Sequence, residues 1–106
     1  MGYRQVAQRY LDLADTAAGE PILLFVVARA YSKLAELEPR LVDGSVLFRA
    51  AAQLDGREPS NEVRAIEALF ARVLGKLRGR PVGELLIKAL TERGRASRIV
   101  AAGAIS

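Results

Sequence analysis

Apolar residues return every three or four positions along most of this chain, and that spacing predicts helix after helix. Tyr3, Val6, Ala7, Tyr10, Leu11, Ala14 and Ala17 share one stripe, with Arg4, Gln8, Asp12 and Asp15 opposite. This is an amphipathic helix over 3–18, with Gly19 as its expected stop. Glu20-Pro21 opens a second helix, since proline in the first turn gives up an N–H that would have no partner anyway. Residues 22–28 are apolar on every face, and Phe25, Val26 and Val27 are good strand formers. The pattern nevertheless continues in helical register through Tyr31, Leu34, Ala35 and Leu37, with Arg29, Lys33 and Glu36 between them. A central helix, covered by the others and ended by Pro39, is therefore expected.

Asp43-Gly44 reads as a turn, with Ser45 as the expected N-cap of a short helix through Val46, Leu47, Ala50, Ala51 and Leu54. Residues 55–59 form the main polar loop. Ser60 or Asn61 then caps a fourth helix over 60–78, where Val63, Ile66, Phe70, Val73 and Leu77 step by three and four and Leu69 and Leu74 widen the stripe. Gly75-Lys76 and Gly79-Arg80-Pro81 read as helix breaks. A fifth helix buries Val82, Leu85, Leu86, Ala89 and Leu90 and stops at Gly94; a last short one covers 96–102. Phe25, Phe48 and Phe70 are expected in the core, and Tyr3 and Tyr10 pack on one helical face. The expected architecture is all-α: a single domain over 1–106, a compact bundle of five to six short helices with no sheet.

Composition removes whole classes of chemistry. The 106 residues contain no cysteine and no histidine. Disulfides, thiolate nucleophiles, the usual general base and the commonest zinc ligand are thereby excluded. Asp12 and Asp15 share a helical face, and Glu36 and Glu38 flank a helix end; both pairs read as solvated charges. No phosphate-cradling glycine loop and no Ca²⁺ loop is present. No catalytic residue, metal site or cofactor is expected, so the chain reads as a non-enzyme. The longest apolar run, 22–28, is far short of the ~20 residues that span a bilayer, and the N-terminus has no apolar signal segment. A soluble cytoplasmic protein without membrane attachment is expected.

Charge is distributed unevenly. Residues 64–106 hold nine Lys/Arg against three carboxylates, a net of +6, whereas residues 1–63 hold seven against nine, a net of −2. A one-sided positive field attracts polyanions. Arg72, Lys76, Arg78 and Arg80 exceed what a helix C-terminal dipole calls for, and Lys88, Arg93, Arg95 and Arg98 follow them. These eight are the candidate nucleic-acid-binding residues. Arginine suits phosphate because its planar fork contacts two oxygens at once. No aromatic interleaves with this cluster, so sequence-independent attraction to a single-stranded DNA or RNA backbone is the expected mode.

Two other readings follow from the same residues. Arg93-Gly94-Arg95-Ala96-Ser97-Arg98 has the outline of a helix-turn-helix, with Arg95, Ser97 and Arg98 starting the recognition helix. Its tail offers few side chains to base edges, and a frayed basic C-terminus is the simpler reading. A structural subunit, of a filament or capsid, is the other alternative. Ala50-Ala51-Ala52 and the small residues of 100–104 permit close helix approach, so self-association or docking on other protein subunits is also expected.

The opening Tyr3-Arg4-Gln5-Val6-Ala7, the apolar segment 21–28 and the arginine-rich helix and turn over 64–81 resemble the small helical subunit of type I-A archaeal CRISPR interference (Cascade) complexes. The resemblance implies a short, basic, non-catalytic antiviral-defence subunit packed along a crRNA-guided complex. It would contact the target or displaced DNA strand through its backbone and other subunits through apolar surface.

Overall fold

Among the described residues are six α-helices and one 3₁₀ turn: α1 (Tyr3–Thr16), α2 (Pro21–Leu37), the 3₁₀ turn Pro39–Leu41, α3 (Gly44–Ala52), α4 (Asn61–Lys76), α5 (Arg80–Glu92) and α6 (Arg95–Ile105). The structure, a computed structural model, describes residues 2–16, 20–77, 80–92 and 94–105, those at 80, 81, 82, 85 and 92 by their backbone alone. Among the described residues there is no strand. Gly19, Ala17 and Gly79 lie outside them, as do the side chains of Val82 and Leu85.

Helix boundaries follow local chemistry. Pro21 stands at the first turn of α2. Ser60 caps α4, its Oγ accepting from the Val63 amide at 3.1 Å. Asp43, rather than Ser45, caps α3: its Oδ1 accepts from both the amide (2.9 Å) and the hydroxyl (2.8 Å) of Ser45. Asp43 has the extended backbone a cap needs, while Ser45 is already helical. Gly75 is no break but lies within α4, and α6 runs on to Ile105 instead of fraying after 102.

α2 and α4 pack side by side, α1 covers α2, α6 covers α4, and α5 and α3 pack on α6. The molecule is 34 × 33 × 20 Å, a slab two helices thick. The three-four stripe of α4 lies in the core: Val63, Ile66, Phe70, Val73, Leu74 and Leu77 are buried, against Leu11, Leu24, Val27, Leu47, Phe48, Leu54 and Val100. Between α4 and α6 the helices approach closely. A methyl on Gly103 would stand 2.9 Å from Ala71 Cβ, and one on Gly75 would stand 3.7 Å from the Ala104 carbonyl. Val100 and Ala101, with Ala50 and Ala51, are buried in the fold, whereas Ala52, Ala102 and Gly103 are exposed.

Several expectations about burial change. α2 is not covered along its whole length, since Ile22 and Leu37 at its two ends are exposed. Phe25 is half-buried, Tyr3 is exposed, and Leu90 is 38% exposed. Tyr10 packs on the core edge as expected.

Candidate nucleic-acid interface

The core face of α4 leaves two flanks, and the cations divide between them. On the α2 side, Ala65, Ala68, Leu69 and Arg72 of α4 face Phe25, Arg29, Ser32 and Lys33 of α2 across a cleft of about 510 Å³. Phe25, Arg29 and Lys33 recur every four residues, so α2 places them in one row. The Arg29 guanidinium lies over the Phe25 ring, 5.8 Å from its centroid, a cation–π pair at the cleft wall. Ala65, Ala68 and Leu69 make the lining between these cations apolar.

Lys76 sits one turn beyond Arg72 on the same flank. Its Nζ donates to Ser32 Oγ at 3.3 Å and to Glu36 Oε1 at 3.1 Å. Lys33 Nζ approaches the other Glu36 oxygen at 3.8 Å. The hydrogen bond from Lys76, then its charge and that of Lys33, hold the Glu36 carboxyl below the usual carboxylate range. Lys76 therefore closes the seam between α4 and α2, and its charge is shared with Glu36.

The other flank of α4 faces α6. Glu67 is buried there, only 3% exposed, and its Oε2 has no hydrogen-bond partner among the described residues. Burial pushes the Glu67 carboxyl up; Arg95 and Arg64 pull it back, and Asp55 adds to the rise. Asp55 itself caps α6 from across the fold: its Oδ1 accepts from the Ala96 amide at 2.7 Å. Gly94 makes room, since any Cβ there would collide with the Asp55 carboxylate.

Of the eight sequence candidates, Arg72, Lys76, Lys88, Arg95 and Arg98 are exposed. Arg72, Lys88 and Arg98 form no ion pair among the described residues, where the pairs join Lys33, Arg40, Arg49 and Lys76 to carboxylates. Arg78, Arg93 and the side chain of Arg80 lie outside the described residues. Arg72 and Lys76 come together; Arg95 and Arg98, on α6, stand on the opposite flank of α4. Arg29 and Lys33 belong to the α2 flank although they come from the acidic half. Their four-residue spacing from Phe25 was the visible signal, and it pointed to a shared helix face.

Among the described residues no group of three or more acidic side chains could hold a metal ion, and no helix is long and apolar enough to cross a membrane. No family model, curated protein or solved structure matches the chain.

Proposed function

We propose that this chain is a non-catalytic nucleic-acid-binding subunit, working in the cytoplasm within a CRISPR interference complex of the type I-A kind. The carrying observation is the set of exposed cations, Arg72, Lys88 and Arg98, that pair with no carboxylate among the described residues. Surface cations that the fold does not neutralise are available to phosphate. The placing in a CRISPR complex is supported by the resemblance of the chain alone.

The helix-turn-helix alternative is disfavoured by the start of α6. A recognition helix presents its first turn to base edges. Here Ala96 and Ser97 are buried, Ser97 Oγ donates to the Phe48 carbonyl at 3.4 Å, and the Asp55 carboxylate occupies the helix N-terminus. A carboxylate at that position repels DNA phosphates.

The test is equilibrium binding of the whole chain to several oligonucleotides of unrelated sequence at low salt. Affinities within a few-fold of one another are expected, falling at least tenfold in an Arg72→Glu, Arg98→Glu double variant whose helical CD signal is unchanged. A sequence preference above a hundredfold would revive the regulator reading.

A further inference from the structure

The α2–α4 cleft combines three things: exposed cations on both walls, a half-buried aromatic, and an apolar lining of Ala65, Ala68 and Leu69 between them. Exposed arginine and lysine supply the phosphate contacts of a single-strand groove, and aromatic rings or guanidinium planes supply the faces on which unpaired bases stack. Glu36, the carboxylate at the end of this row, is engaged by Lys76 and Lys33, so the lip of the cleft stays positive beside Arg29 and Arg72. We propose that this cleft seats one strand of unpaired nucleic acid, with a base packed against the Arg29–Phe25 pair and phosphates held by Lys33 and Arg72. The proposal rests on the nucleic-acid reading above and deepens it by naming the cleft and by adding base stacking to the backbone contacts. A duplex keeps its base faces stacked inside and can offer the cleft only phosphate, so Phe25 distinguishes the two forms.

Charge favours this occupant over a partner helix. An acidic protein segment would satisfy the cations but would bring no flat apolar face to the ring and the apolar lining. A neutral amphipathic helix would leave Arg29 and Arg72 desolvated without an anionic partner, which is costly.

The experiment is fluorescence anisotropy at low salt with a single strand of about 16 nucleotides and with the duplex of the same sequence. Wild type, Phe25→Leu, Arg29→Ala, a Lys33→Glu, Arg72→Glu pair and an Arg95→Glu, Arg98→Glu pair are compared. Leucine keeps the apolar packing of position 25, and Arg29 is exposed, so both single variants keep the fold, checked by CD and Tm. The wild type is expected to bind the single strand at least tenfold tighter than the duplex. Phe25→Leu and Arg29→Ala should each weaken the single strand about fivefold or more, within the range of a lost stacking contact, and leave the duplex unchanged. The Lys33→Glu, Arg72→Glu pair should weaken both forms. Equal affinity for the two forms, with Phe25→Leu and Arg29→Ala silent and the Arg95→Glu, Arg98→Glu pair deficient, overturns the cleft and leaves the nucleic-acid reading standing. No binding of either form by the wild type overturns both. A poly-glutamate peptide bound as tightly as the single strand, with the same dependence on Phe25, overturns the proposal in favour of an acidic protein surface.

Discussion

Glu67 shows how a single buried carboxylate sets the acid side of the stability curve. With its pKa raised by burial, the folded chain holds the Glu67 proton more tightly than the unfolded chain. The stabilisation is complete below the ordinary carboxylate range and is lost as pH rises through the raised value. Glu67→Gln removes the charge but keeps the shape. It should therefore stabilise the protein by about 1 kcal/mol at neutral pH, with the gain disappearing below pH ~4; chemical denaturation at several pH values reads this directly. An unchanged difference across the range would mean that Arg64 and Arg95 fully compensate the charge. Asp55 and Gly94 make a second residue-scale test. Asp55→Ala removes the cap of α6 and should cost about 1 kcal/mol. Gly94→Ala forces a methyl against the Asp55 carboxylate and should cost about 1–3 kcal/mol. Because the collision is with Asp55 itself, the double variant should be more stable than the sum of the two losses predicts. Additive losses would contradict the contact.

At the scale of elements, the helices were legible because each stripe is a local property. Val63 to Leu77 could be read as one buried face of α4, and it is. What could not be read is how two helices share their remaining flanks. Arg29 and Arg72 are 43 positions apart in the chain, and only the packing of α2 on α4 puts them on one cleft. The Asp55 cap was hidden for the same reason, since its acceptor and the Ala96 donor are 41 positions apart. Gly75 misled for a different one: in sequence a glycine reads as a break, yet α4 runs straight through it. The α2–α4 seam gives its own prediction. Glu36→Gln releases Lys33 and Lys76 from their shared carboxylate, making the cleft more positive. Nucleic-acid affinity should rise about two- to fivefold at low salt, and Tm should barely change, since exposed ion pairs contribute little to folding. Weaker binding in a titration of Glu36→Gln would mean that the positions of Lys33 and Lys76, more than their charge, matter.

For the molecule as a whole, the central claim is that cations left over by folding attract a polyanion. Net charge alone, +4, would give a diffuse attraction; cations set along a cleft and on α6 should give a countable number of phosphate contacts. Each contact releases condensed counterions, so affinity should fall with salt along a log–log line of slope about −0.7 per contact for a single strand. The decisive measurement is that slope for the wild-type chain, taken by anisotropy from low to near-physiological salt. Three or four contacts predict a slope between about −2 and −3, with the Lys33→Glu, Arg72→Glu pair flatter by one or more contacts. Binding that does not respond to salt, or no binding at the lowest salt, would contradict the account.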